Sequence, residues 1–132
     1  MEREFSERIR NILLPSFHVF LPHVDGRLLP DLIAAGSSPH EARSIVFAND
    51  ISALRGCDLL LAILNGRTID EGTAFELGVA WCLGKPCWGF KDDFRRLTPS
   101  GDNPMIEIAL RTIFSSFDEL AKWAVSSGER PD

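Results

Sequence analysis

The stretch Cys57–Leu64, which reads Cys-Asp-Leu-Leu-Leu-Ala-Ile-Leu, decides the fold class of this chain. After Asp58 it is a continuous apolar run. Such a run is typical of a parallel strand that is covered on both faces by helices. It is far too short to span a bilayer. We therefore predict a buried central strand here, and we read the rest of the chain outward from it.

The segments on both sides alternate between predicted helices and predicted strands. Before the central strand, the sequence predicts a helix over 2–14, a strand over 18–21, a loop over 23–37 with one possible helical turn, and a helix from Ser38-Pro39 to about Leu54, ended by Gly56. After it come a loop over 65–72, a helix opened by Thr73 and ended at Gly84, a strand over 87–90, a loop over 91–103, a helix over 104–110, a strand over 111–114 and a last helix capped by Ser116. This order predicts an α/β fold, a doubly wound, flavodoxin-like parallel sheet with helices on both faces. Ligands of such folds bind at the carboxyl ends of strands, which here is the loop 65–72.

The length and composition are those of one globular domain. The chain has 132 residues, of which 45% are hydrophobic and 25% are charged. We expect residues 1–125 to form a single domain and residues 126–132 to form a frayed tail. The formal charge of −5 argues against polymeric nucleic acid as a partner, because phosphate binding needs clustered Lys and Arg.

Cysteines, histidines and the N-terminal residues give no sign of export or of a metal. The three cysteines have neither paired-disulfide arithmetic nor zinc-ligand spacing, and no apolar signal region follows Met1. The three histidines show no ligand spacing either. We therefore expect a cytoplasmic protein that contacts no membrane and needs no metal or other cofactor.

The densest chemistry lies in the loop and helix start 65–78, which carries Asp70, Glu71 and Glu76. A carboxylate near a helix N-terminus is stabilised as the anion, and an ionised carboxylate is the nucleophile that glycosyl cleavage needs. A second carboxylic acid could protonate the leaving group. Gly72 would let the backbone approach a ligand, and Gly78 in mid-helix indicates a packing or ligand requirement.

On spacing alone, ordinary structural roles explain these residues better than catalysis does. Thr73-x-x-Glu76 is itself a capping box, in which Glu76 would return a hydrogen bond to the Thr73 amide. Asp70 could be a turn residue, and Asp50 could be a solvated charge near the end of its helix. Spacing alone does not settle the choice between these interpretations.

Several separated motifs together resemble the nucleoside 2-deoxyribosyltransferases. They are Asp50-Ile51, Cys57-Asp58, Asp70-Glu71-Gly72-Thr73-Ala74-Phe75-Glu76-Leu77-Gly78 and Gly84-Lys85-Pro86. The resemblance implies that Glu76 is the nucleophile, that Asp70 contacts and protonates the base, and that Asp50 is its partner at the base edge. The segment 92–96, followed by Asn103-Pro104-Met105, is similar to the later part of the family pattern. There, Asn103 and Met105 would reach a neighbouring subunit's site and hold the sugar.

The chain departs from the family pattern at its start and in its aromatic residues. It begins at the helix that follows the family's first strand, and it contains no tyrosine. We therefore expect a sheet that lacks the family's first strand and a pocket that lacks the tyrosine bonded to the nucleophile. Losing a strand from the middle of a sheet exposes two edges.

The resemblance implies exchange of nucleobases on 2-deoxyribose through a covalent glycosyl-glutamate. The substrates would be nucleosides and free nucleobases, handled by a homo-oligomer with shared sites. One alternative is a hydrolase of nucleoside 5′-monophosphates. Thr68 and Asp70 stand where its phosphate-binding serines would be, and only Arg67, Arg95 and Arg96 could offset that carboxylate. The other alternative is a non-catalytic nucleotide-binding domain.

Overall fold

The computed structural model describes residues 3–93 and 103–128, which form seven helices and three strands within those ranges. The elements are α1 (Arg3–Leu13), α2 (Pro22–Asp25), α3 (Leu29–Ala34), α4 (Pro39–Gly56), β1 (Leu60–Ile63), α5 (Glu71–Cys82), β2 (Cys87–Phe90), α6 (Pro104–Glu107), β3 (Ile113–Phe114) and α7 (Phe117–Gly128).

The strands form one parallel sheet in the order β1-β2-β3. Leu60 pairs with Cys87 and Ile63 with Phe90, while Gly89 pairs with Ile113. The predicted parallel sheet is therefore confirmed, with the apolar run at its first strand. The carboxyl ends of β1 and β2 lie side by side as a result.

Helices cover both faces of the sheet, as the α/β flavodoxin-like prediction requires. One hydrophobic core lies between the sheet and the helices α4 and α5, and its buried members are Leu54, Ala62, Leu64, Leu77, Ala80, Cys87 and Leu110. The other lies against α1 and α7, and its buried members are Ile9, Leu13, Phe90, Phe114, Leu120 and Ala124. Side chains of β1 alternate between the two, with Ala62 in the first core and Leu61 and Ile63 packed on the second.

The longest helix begins as its sequence predicts. The Ser38 hydroxyl accepts a hydrogen bond from the Glu41 amide at 3.2 Å, and Pro39 occupies the first turn, where its missing N–H is not needed. The helix continues through Gly56, and only residues 57–59 separate it from β1.

The predicted strand over 18–21 is wrong. These residues follow α1 as irregular chain, and Phe17 and Val19 pack by their side chains on the second core. A strand needs a neighbour for its backbone groups, and within the described ranges no strand lies beside this segment.

The predicted loop over 23–37 also differs, because it holds two short helices. Pro22 and Pro30 occupy their first turns and preset the helical φ. Other elements keep their type but change length. The central strand begins at Leu60, α6 ends at Glu107, and the third strand is reduced to 113–114, although the Arg111 amide already donates to the Cys87 carbonyl.

The last helix extends through Gly128, beyond the start of the frayed tail predicted over 126–132. Residues 129–132 lie outside the described ranges, as does most of the loop predicted over 91–103. Across the helices described, none is long and apolar enough to cross a membrane.

β1 lies at the edge of this sheet. The Leu60 amide donates to the Pro86 carbonyl and the Leu64 amide to the Phe90 carbonyl. Alternate residues of a parallel strand bond to the same neighbour. The peptide groups of Leu61 and Ile63 therefore face the opposite side, where the described chain places no strand.

A substitution of Phe90 tests how much the second core contributes to the free energy of unfolding. The Phe90 side chain is fully buried between the sheet and α7, whereas Phe20 is 44% exposed. We expect Phe90→Ala to lower the free energy of unfolding by about 3–5 kcal/mol, and Phe20→Ala to change it by less than about 1 kcal/mol. Urea denaturation followed by circular dichroism measures both, and equal losses would contradict this assignment of the core.

Candidate active site

The candidate site lies where the chain leaves β1 and enters α5. Residues 65–70 form the connecting loop, and residues 91–93 leave the neighbouring strand β2 at the same carboxyl-terminal end of the sheet. This is the position at which parallel α/β sheets bind ligands.

Asp70 is the N-cap of α5. Its carboxylate Oδ2 accepts a hydrogen bond from the Thr73 amide at 3.1 Å. Gly72 lies beneath that carboxylate, and a Cβ on Gly72 would stand 3.0 Å from Asp70 Oδ2. The glycine therefore leaves room for the cap.

This geometry overturns the capping-box interpretation of Glu76. Because Asp70 is the N-cap, Thr73 is the third residue of α5 and Glu76 falls in the second turn. Glu76 is thus too far along the helix to bond the cap residue's amide, and it also lies beyond the first-turn amides that we expected to stabilise it. Gly78 has open space where a Cβ would be, so packing within the described chain does not explain it.

Glu76 is half-buried and faces two other carboxylates. Burial raises the pKa of Glu76, and the negative charges of Asp50 and then Asp70 raise it further. The structure therefore brings Asp50, Asp70 and Glu76 together from α4, the loop and α5. Like charges of this kind are costly, and they are characteristic of functional sites.

Asp50 contributes a carboxylate oxygen that is withheld from water. Its Oδ1 atom is buried and has no hydrogen-bond partner in the described chain, and burial raises the pKa of the Asp50 carboxyl. A Cβ on Gly26 would stand 3.4 Å from both this atom and Asn49 Nδ2. The chain after α2 therefore lies against the Asp50 carboxylate. We did not predict Gly26 or Asn49, and nothing in their spacing to Asp50 indicates this contact.

Two exposed aromatic rings lie on the helices that carry Asp50 and Glu76. Phe47 lies one helical turn before Asp50, and Phe75 precedes Glu76. Their ring centroids are 6.1 Å apart, and the residues are 58% and 55% exposed. The helical spacing of Phe47 and Asp50 was a signal that we did not use.

Hydrogen bonds join the loop 65–70 to the segment 91–93. Asn65 and Asp92 bond reciprocally, at 2.8 Å from Asn65 Nδ2 to Asp92 Oδ1 and at 3.1 Å from the Asp92 amide to Asn65 Oδ1. The Gly66 amide donates to Asp93 Oδ2 at 2.7 Å, and Lys91 Nζ donates to the Gly66 carbonyl at 3.0 Å. We call these four bonds the loop latch.

Asn103 and Met105 are not joined to the carboxylates by any hydrogen bond of the described chain. The Asn103 side chain caps α6 by accepting a bond from the Met105 amide at 2.9 Å, and Met105 is 81% exposed. Arg67 is exposed. Arg95 and Arg96 lie outside the described residues. Among residues 3–93 and 103–128, no group of three or more His, Cys, Asp or Glu side chains is placed to hold a metal ion.

Comparison with known proteins identifies a family for this chain. No curated protein sequence matches the chain. The family model described as nucleoside 2-deoxyribosyltransferase matches residues 1–131, which is almost the whole chain. The site also has the carboxylates that the sequence motifs imply for that family, on a sheet of the expected class. The chain belongs to the nucleoside 2-deoxyribosyltransferase family.

Proposed function

We propose that this protein exchanges nucleobases on 2-deoxyribose, with Glu76 as the nucleophile and Asp70 and Asp50 at the base. The observation that carries this proposal is the convergence of Asp50 and Asp70 on the half-buried Glu76. A carboxylate that attacks a sugar and a second carboxyl that handles the leaving group are the parts that retaining glycosyl transfer requires.

In the first step, a Glu76 carboxylate oxygen attacks the anomeric carbon of a 2-deoxynucleoside. The bond between that carbon and the base nitrogen breaks, its electron pair leaves with the base, and Asp70 supplies a proton to the base. In the second step, a nitrogen of another base attacks the same carbon, the bond from that carbon to Glu76 breaks to release the carboxylate, and Asp70 takes up the proton that the attacking nitrogen loses. Two displacements give net retention.

Asp50 suits a supporting role at the base. Burial raises the pKa of its carboxyl, so this group holds a proton more readily than an exposed aspartate does. Its buried Oδ1 atom makes no hydrogen bond within the described chain and would be free to bond a polar group of the base. Gly72 would serve as part of the substrate-binding loop, beneath the Asp70 carboxylate.

The exposed face of the loop favours nucleosides over nucleoside monophosphates as substrates. Thr68 and Asp70 are both exposed there, and a carboxylate repels phosphate. Arg67 is also exposed, as a solvated loop charge would be. Hydrolysis of monophosphates is therefore the weaker proposal.

A homo-oligomer with shared sites completes the proposal. Met105 is 81% exposed on its own subunit, and the Asn103 turn presents it to the outside. Both residues would hold the sugar in a neighbouring subunit. We also propose a cytoplasmic location, since Cys57, Cys82 and Cys87 are all free thiols.

A base-exchange assay tests the reaction directly. Purified protein is given a deoxynucleoside donor and a different free base, and products are separated by chromatography. We expect a new deoxynucleoside, and we expect Glu76→Ala and Glu76→Gln to lower its rate by roughly 10⁴-fold or more, as losses of a nucleophile do. Glu71→Gln, an exposed carboxylate on the same helix, is the matched control and should keep the wild-type rate.

Each other outcome of that assay has a definite meaning. Free base without a new nucleoside would indicate a hydrolase, and monophosphates would then be tested. Undiminished exchange by either Glu76 variant would remove this residue from its proposed role. Binding of nucleosides without turnover, seen as thermal stabilisation, would favour the non-catalytic alternative.

The pH dependence of the rate should reflect the repulsion between Glu76 and the carboxylates of Asp50 and Asp70. The nucleophile must be ionised, and burial and then the charges of Asp50 and Asp70 raise the pKa of Glu76. We therefore expect kcat/KM to fall as the pH drops through a value above the ordinary glutamate pKa of about 4.3. Asp50→Asn should lower the maximal rate and move this acidic limb to lower pH. A limb that moved upward or stayed in place would contradict the coupling.

Glu76 should also cost the protein stability at neutral pH. Its pKa is raised in the folded state, so the folded protein holds this proton more tightly than the unfolded chain. The stabilisation is complete below the unfolded pKa and is lost as pH rises through the folded pKa. We expect Glu76→Gln to melt a few degrees higher than wild type at about pH 7.5. At about pH 4 we expect the variant and the wild type to melt at the same temperature. Calorimetry at both pH values measures this, and a lower melting temperature of the variant at neutral pH would contradict it.

A further inference from the structure

The loop latch continues the sheet beyond its last ladder bond. The Leu64 amide donates to the Phe90 carbonyl, and the reciprocal pair of Asn65 with Asp92 follows immediately. The Asp92 backbone amide takes part in this pair, so side chain and backbone are both fixed. The two loops that leave β1 and β2 are thereby held together at their first residues.

Gly66 is held through both of its peptide groups. Its amide donates to Asp93 and its carbonyl accepts from Lys91. The Lys91 side chain is only 9% exposed, and its ammonium lies 4.0 Å from the Asp93 carboxylate. Gly66 has a φ of 113°, which favours glycine. The turn after β1 therefore has one defined backbone conformation.

The loop from this turn to Asp70 is short. Its other anchored residue is Ile69, which packs on the first hydrophobic core. Asp70 follows at once as the N-cap of α5. A displacement at Asn65 and Gly66 would therefore be passed to Asp70, because only two exposed residues, Arg67 and Thr68, separate the turn from Ile69.

We propose that Asn65 and Asp92 are positioning residues, which hold the loop 65–70 so that Asp70 stays beside Glu76. This inference rests on the function proposed above. In this role Asn65 and Asp92 act through the backbone of the loop and not on the substrate. Exposed polar pairs contribute little to global stability, so the main consequence of breaking this pair is the misplacement of Asp70.

The pair allows a test by exchange of its two side chains. In Asn65→Asp, a carboxylate oxygen replaces the Nδ2 donor that lies 2.8 Å from Asp92 Oδ1, so two anions oppose each other. In Asp92→Asn, an oxygen still accepts from Asn65 and the backbone amide still donates. The double variant Asn65→Asp/Asp92→Asn restores a donor opposite an acceptor, with the roles reversed.

We expect Asn65→Asp to lower kcat by roughly 10- to 100-fold with a smaller change in KM, since small displacements of a reacting group have effects of this size. Asp92→Asn should stay within about threefold of wild type, and the double variant should return to within about threefold. Wild-type turnover by Asn65→Asp, or a double variant as slow as Asn65→Asp, would overturn the proposal. If Asn65→Asp does not fold, Asn65→Ala, Asp92→Ala and their combination give the same coupling without the opposed charges.

Amide hydrogen exchange keeps this test separate from the proposed function. The amides of Gly66 and Thr73 donate to Asp93 and Asp70, so their protection reports the latch and the cap. In the absence of any substrate, Asn65→Asp should speed exchange at both amides and the double variant should restore protection. Unchanged protection at Thr73 would overturn the positioning role even in an active enzyme. If wild type and Glu76→Gln are equally inactive while protection follows the latch, the proposed reaction fails and the latch stands.

Discussion

The parallel pairing of β1 with β2, under helices on both faces, is the constraint on which the rest of this structure depends. Ala62 and Leu64 face one core while Leu61 and Ile63 face the other, so the strand cannot slip by one residue without exchanging its faces. The register in turn fixes where both strands end. The loops that follow them therefore meet at the carboxyl-terminal end of the sheet, beneath the N-terminus of α5. The position of the candidate site follows from this register.

At the carboxyl-terminal end of the sheet, the protein brings together carboxylates that repel one another. Asp70 is stabilised by the Thr73 amide, but Glu76 lies in the second turn, beyond the cap, and faces Asp50 across the site. The cores on either side of the sheet must supply the free energy that keeps these carboxylates together. Such a local cost within an otherwise apolar scaffold is typical of active sites.

The sequence predicted the fold class because its strongest signals are local. The apolar run before Asn65 and the Ser38 cap each depend on neighbouring residues, and both are confirmed. The segment 18–21 failed because a strand is defined by a partner, which periodicity does not report. Periodicity also could not distinguish Asp70 from Thr73 as the cap of α5, since both residue types accept the same bond.

The sequence predicted residues of the candidate site only where they belong to a motif of the family. Asp50, Asp70 and Glu76 came from the family pattern, and the structure brings them together. Gly26 and Asn49 belong to the same surroundings through a contact between distant segments, which no spacing encodes. The bonds between residues 65–66 and 91–93 are of the same kind, because they depend on which strands are neighbours.

The outer side of β1 has a consequence for the behaviour of the protein in solution. Leu61 and Ile63 present their peptide groups to the edge, and the apolar run 59–64 contains no charge and no proline. Natural edge strands usually carry such features, which discourage edge-to-edge addition. An edge without them can accept a strand of a second chain, and each added strand would offer a new edge. The segment from which the fold class was predicted is thus also the one whose outer side has no partner strand within the described chain.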